Sequence, residues 1–117
     1  MKKLLRVPDY LEHMLTAIVR IQTYTATLDV QGFKNTPLIQ DAVIRNVEVI
    51  GEAANNIQRV HPNFAHQHPE IPWQLMYAMR NRLLHGYDAV DLDLVWRTIS
   101  ENLPELYRLV KSAQQAR

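Results

Sequence analysis

The sequence predicts an all-α fold, a bundle of four main helices with the last one kinked or split at Pro104. Three observations carry this. Apolar residues recur at spacings of three and four over long stretches, as they do on amphipathic helices. Glycine is scarce, and Gly32, Gly51 and Gly86 stand far apart. No segment of useful length alternates apolar and polar residues as a half-buried strand would.

The first helix is expected from Asp9 to about Leu28, with Pro8 just ahead as a starter and Leu11, Met14, Leu15, Ile18, Ile21 and Leu28 as its apolar stripe. Asp29 to Asn35, containing Gly32 and polar residues, reads as a loop. A second helix is expected from Pro37 to about Val60, with Thr36 as N-cap and Pro62 as its stop. Its stripe of Ile39, Val43, Ile50, Ala54 and Ile57 is widened by Ile44, Val47 and Val49. Apolar surface on more than one side suggests burial on both, either centrally in the bundle or against another subunit. His61 to Ile71 reads as a connector, and Pro72 opens a third helix with Trp73, Met76, Tyr77, Leu83 and Leu84, ending near Gly86. The fourth runs from about Asp91 with Leu92, Val95, Trp96, Ile99, Leu103, Leu106 and Val110, and Pro104 inside it removes an N–H and crowds the preceding turn.

A length of 117 residues argues for a single domain over residues 1–117. Lys+Arg 13 against Asp+Glu 12 gives a net charge of +1, with no basic or acidic tail, so any nucleic-acid contact must come from a local patch. With Cys 0 there is no disulfide framework, thiolate zinc site or cysteine nucleophile. The dispersed glycines write neither a phosphate loop nor a dinucleotide fingerprint. No apolar run approaches the roughly 20 residues of a membrane span. The basic N-terminus, Met1 to Arg6, has no apolar core or cleavage site behind it, which makes the cytoplasm the expected address.

The catalytic inventory is short. Serine occurs only at Ser100 and Ser112, neither in a nucleophile-elbow context. Asp88, Asp91 and Asp93 cluster where a helix starts, and caps or dipole partners explain them. His61, His66 and His68 lack zinc-ligand spacing and read as a solvated loop, while His13 beside Glu12 reads as an ordinary helix-surface residue. No metal site or cofactor is expected.

What remains is Arg80-Asn81-Arg82-Leu83-Leu84-His85-Gly86-Tyr87. With 9 Arg and 5 His in the chain, an arginine five positions before a histidine is expected about 0.4 times by chance, and a tyrosine two further on reduces this to about 0.02. At 100° per residue, Trp73, Met76, Tyr77, Leu83 and Leu84 fall within about 60° of Arg80, which therefore sits on the apolar face, with Arg82 nearly opposite. A guanidinium stays charged, so such a placement requires a cleft or anionic partners. The plainer alternatives are a snorkelling stem or an ion pair with Glu48 or Glu52. Positions 80 and 85 of an unbroken helix lie about 140° apart and ~7.5 Å apart along the axis. They converge only if the helix unwinds at His85-Gly86 or if two copies face each other across a twofold axis.

Arg80-Asn81 followed by His85-x-Tyr87 resembles the Arg-x4-His-x-Tyr signature of HepT-type toxins, within the HEPN superfamily of small helical domains. Ile50-Gly51-Glu52-Ala53-Ala54 resembles the Ile-Gly-Glu-Ala-Ala stretch of that family's second long helix. Ile71-Pro72-Trp73, Val95-Trp96 and Leu103-Pro104 also fit, and the similarity covers about residues 8–112. The Arg-x4-6-His core is loose by itself, whereas the extended pattern is fairly specific.

The resemblance implies a homodimeric HEPN-like bundle acting as a metal-independent endoribonuclease on an RNA substrate. Arg80 and His85 of both subunits would line the dimer cleft as catalytic residues, with Asn81 in support. It also implies a toxin–antitoxin pairing with a minimal nucleotidyltransferase antitoxin, which neutralises the toxin by AMPylation of Tyr87. The chemistry is compatible. RNA carries its own nucleophile, the 2′-OH, a histidine can move its proton, and an arginine can hold the phosphate. Cleavage of that kind leaves a cyclic phosphate or 3′-phosphate and a 5′-hydroxyl. AMP on Tyr87 would fill the cleft and repel RNA phosphate; the plainer alternative is a ring packed on the fourth helix with its hydroxyl in water. From another class, a non-catalytic helical dimer could serve as a binding or recruiting subunit of a nucleotidyltransferase. The net charge of +1 leans that way, and the Arg80/His85 pair leans toward the enzyme.

Overall fold

Pro37 and Pro62 bracket a stretch in which apolar residues recur at helical spacing, and the computed structural model, which describes residues 5–85 and 90–116, forms there its longest helix. In chain order the helices are α1 (Val7–Thr25), α2 (Val30–Lys34), α3 (Pro37–Val60), α4 (Pro62–Gln67), α5 (Trp73–His85), α6 (Leu92–Glu101) and α7 (Leu103–Gln115). The described residues contain no strand, and the fold is all-α as the sequence predicts.

α3, with 24 residues, is about 36 Å long, so it runs most of the 41 Å long axis of the molecule. It is central in the bundle, with both α1 and α5 packed against it. That accounts for the wide apolar surface of α3, where Val43, Val47, Ile50, Ala53, Ala54 and Ile57 are all buried. α7 returns against α1, and its Leu106, Val110 and Ala113 are buried. Buried Asn46 donates to the Ala42 carbonyl (2.8 Å) and buried Asn56 accepts from Arg59 (3.0 Å), so neither interrupts the core unsatisfied.

The boundaries differ from expectation in places with identifiable causes. α1 starts at Val7, because Pro8 has no N–H to leave unpaired in a first turn, and Asp9 reaches back to accept from the Arg6 N–H (3.1 Å). It ends at Thr25, short of Leu28, where the Thr25 hydroxyl bonds back to the Ile21 carbonyl (2.8 Å). Asp29–Asn35 is not a loop throughout, since it contains α2. Asp29 caps it by accepting from the Gly32 N–H (2.8 Å), and Phe33 is fully buried beside Trp96, ring centroids 5.4 Å apart. Thr36 occupies the N-cap position of α3, but its hydroxyl donates backwards to the Gly32 carbonyl (2.7 Å) and so serves the end of α2. Pro62 starts α4 as well as ending α3, which makes part of the connector helical. The last helix is split rather than kinked: α6 ends at Glu101, Asn102 is shared as a cap, and Pro104 lies in the first turn of α7. No helix among the described residues is long and apolar enough to cross a membrane.

Candidate functional site

α5 forms because Trp73, Met76 and Leu83 repeat at helical spacing, and all three are buried. Arg80 shares their face, as the 100° arithmetic predicts, whereas Arg82 is exposed. The Arg80 side chain is only 24% exposed, and its guanidinium has two anchors. Nη2 lies 3.2 Å from Glu52 Oε2 on α3, and Nη1 donates to Asn81 Oδ1 at 2.8 Å. Its carbon end also lies over the Tyr77 ring, 5.8 Å from the centroid. Of the alternatives open from sequence, the ion pair with Glu52 is the one formed. Glu52 is 44% exposed, so the pair sits at the edge of water rather than in a dry interior.

The close approach of α3 and α5 depends on Gly51. A Cβ there would fall on the Arg80 Cβ, 3.1 Å from Arg80 Cγ and 2.8 Å from the Met76 carbonyl oxygen. The missing side chain leaves the space in which the Arg80 stem lies.

Arg80 opens onto a cleft of about 280 Å³ between α1, α3 and α5. Glu48, Glu52 and Asn56 line it as a row spaced four apart on α3, with Tyr10 and His13 from α1. Sequence reading did not assemble this group, although the four-residue spacing of the α3 row was there to be read. The α1 members carry no signal, because their proximity arises only from packing. A larger cavity of about 410 Å³, between α3, α5, α6 and α7, is lined mainly by apolar side chains such as Leu75, Met76, Met79 and Leu106. Among the described residues, its lining includes no histidine, lysine or arginine.

Two of the predicted site residues, Arg80 and Asn81, are therefore together. The α5 backbone is helical through His85, but the His85 side chain lies outside the described residues, as do Gly86, Tyr87 and Asp88. Of the fourth-helix aspartates, Asp91 caps α6 by accepting from the Leu94 N–H (3.0 Å), and Asp93 pairs with Lys34 (3.2 Å), tying α6 to α2. The connector histidines are apart from Arg80 in role. His61 Nε2 bonds the Leu5 carbonyl (3.0 Å), and His68 Nδ1 bonds Glu70 (3.0 Å) while its carbonyl accepts from Trp73 Nε1 (3.1 Å). His66 is exposed. The bond from His68 holds the Glu70 carboxyl below its ordinary value.

Chemically, Arg80 offers a fixed fork. A guanidinium has five N–H donors, and among the described residues Glu52 and Asn81 take one each, leaving others for an anionic ligand.

Comparison with known proteins identifies the family of the chain. Residues 14–113 match the family described as Ribonuclease HepT-like. A Thermococcus cleftensis protein named probable ribonuclease HepT is 43% identical over 99 residues, covering 84% of this chain and 86% of that protein. A protein of Caldanaerobacter subterraneus subsp. tengcongensis, named as a candidate RNase, is 32% identical over 106 residues, covering 91% of this chain and 92% of its own length. A Methanocaldococcus jannaschii protein whose name joins gamma-glutamylcyclotransferase to a candidate RNase is 37% identical over 100 residues, 86% of this chain but 44% of the longer protein. No solved structure matches significantly. The family match spans α5 and its Arg80 fork together with the helices that position it, and the chain belongs to the HepT-like ribonuclease family of the HEPN superfamily.

Proposed function

We propose that the chain is a metal-independent endoribonuclease, one HEPN-like domain acting as a homodimer, with Arg80 and His85 as catalytic residues and Asn81 in support. The observation that carries this reading is the Arg80 fork. A charged side chain on the apolar face of α5 is held in one geometry at a cleft, an arrangement that burial alone would not favour. The continuous helix through His85 supports the twofold arrangement, because positions about 140° apart on one helix are best used together when a second copy supplies the complement.

In the proposed reaction, His85 takes the proton of the RNA 2′-OH. The 2′-oxygen bonds to the adjacent phosphorus, the bond to the 5′-oxygen breaks, and a proton is returned to that leaving oxygen. The products are a cyclic phosphate, which opens to a 3′-phosphate, and a 5′-hydroxyl. Arg80 donates paired N–H groups to the phosphate oxygens and stabilises the charge that builds there, with Asn81 fixing its orientation. Control comes from a nucleotidyltransferase antitoxin. The Tyr87 oxygen attacks the α-phosphorus of ATP, pyrophosphate departs, and the resulting AMP blocks the cleft by bulk and negative charge.

The test is cleavage of tRNA and mRNA by purified, unmodified protein in EDTA. Replacing His85 or Arg80 by Ala should lower the rate by about 100-fold or more while leaving helix content and dimer mass unchanged. Full cleavage by either variant overturns the assignment. No cleavage by the wild type at any concentration favours the non-catalytic partner of a nucleotidyltransferase instead.

A further inference from the structure

The Ile50–Ala54 stretch contributes more than core packing. Gly51 faces Arg80 and Met76 so closely that no side chain fits, and the next residue, Glu52, meets the far end of the same arginine at 3.2 Å. Consecutive residues of α3 thus hold the two ends of one side chain, the glycine receiving the aliphatic stem and the glutamate the guanidinium. Asn81 holds the other terminal nitrogen from within α5. Without Glu52, the guanidinium of a side chain only 24% exposed would lose its counter-charge and gain by rotating out toward water.

We propose that Gly51 and Glu52 form a cradle that sets the Arg80 fork against the scissile phosphate, and that Glu52 is a positioning residue for RNA cleavage. This rests on the ribonuclease reading above. Glu52 is not the group that moves the proton, since its carboxylate is engaged with Arg80. Its charge also opposes RNA phosphate, so its retention beside the cleft favours orientation at some expense of affinity. A split between binding and turnover follows. Removing the charge should leave RNA binding equal or tighter while turnover falls, because a displaced fork no longer meets the phosphate at its most charged moment.

The experiment compares wild type with Glu52→Gln and Glu52→Asp. Binding is read with 2′-O-methyl RNA, which cannot be cleaved, and turnover with the matching unmodified RNA across pH 5 to 9. Glu52→Gln should lower kcat by roughly 10- to 100-fold with equal or tighter binding and an unchanged shape of the pH profile. Glu52→Asp, which keeps the charge but retracts it by one methylene, should fall between, and it carries the test if Glu52→Gln does not fold. In an Arg80→Ala background, Glu52→Gln should have no further effect on kcat. Turnover within twofold of wild type in the folded variants overturns the role of Glu52, and loss of an acidic limb of the pH profile overturns it in favour of direct proton transfer. A wild type that cleaves nothing overturns the ribonuclease reading and this proposal with it, whereas equal cleavage by wild type and variant overturns only the cradle.

Discussion

Gly51 shows how one missing side chain places another. In the interior of a helix, alanine is ordinarily better than glycine by about 1 kcal/mol. At this position the gain is outweighed, because the added Cβ would lie 2.8 Å from the Met76 carbonyl and on the Arg80 stem, and both belong to a packed helix that cannot easily yield. Overpacking of this kind costs typically ~1–3 kcal/mol. Gly51→Ala is therefore expected to destabilise the protein in denaturant titration and to reduce RNA cleavage by pushing α5 away from α3. An alanine variant more stable than wild type with full activity would contradict the close approach. The placement of Arg80 on the apolar face of α5 was legible from angular arithmetic alone. Its partner was not, because Glu48 and Glu52 occupy the same polar row of α3 and only the approach at Gly51 selects between them.

At the scale of elements, the turn between α4 and α5 determines how the site helix begins. His68 accepts from Trp73 through its carbonyl and bonds Glu70 through its ring, so one residue ties the turn to the first residue of α5. The Glu70 carboxyl is held below its ordinary value of 4.5, chiefly by the His68 ring and secondly by a backbone hydrogen bond. A depressed carboxyl contributes stability above the unfolded value and loses it as pH falls through the folded one. The melting temperature of Glu70→Gln should accordingly lie below wild type at pH 6, and the gap should close on acidification below about 4.5. Glu70 is 45% exposed, which limits the contribution to about 1 kcal/mol or less. A gap that widens in acid would contradict the bond. The bounds of α1 were off by two to three residues at either end, whereas those of α3 were readable, since several turns of periodicity and a proline at each end agree. α2 and α4, at 5 and 6 residues, were not, because an element under two turns shows no period and its only signals are local caps.

At the scale of the whole molecule, a net charge of +1 constrains how RNA can be held. Near the cleft, Arg80 is partly neutralised by Glu52, and the exposed Arg45 lies 3.8 Å from Glu48. Lys34 and Arg108, on other faces, are paired with Asp93 and Glu105. In the proposed twofold cleft, the remaining donors of Arg80 and the exposed Arg82 of each copy would give roughly four phosphate contacts in all, against the 6–10 of proteins with a steep salt dependence. Each phosphate neutralised on a single strand contributes about 0.7 to the fall of log K with log salt. The affinity for 2′-O-methyl RNA, measured by fluorescence anisotropy at increasing KCl, should therefore fall with a slope of about −3 or shallower. Arg82→Ala should flatten that slope without changing the fold, since its side chain is exposed and outside the core. A slope of about −6 would instead require a longer basic track, and would place the RNA on a surface other than the Arg80 cleft.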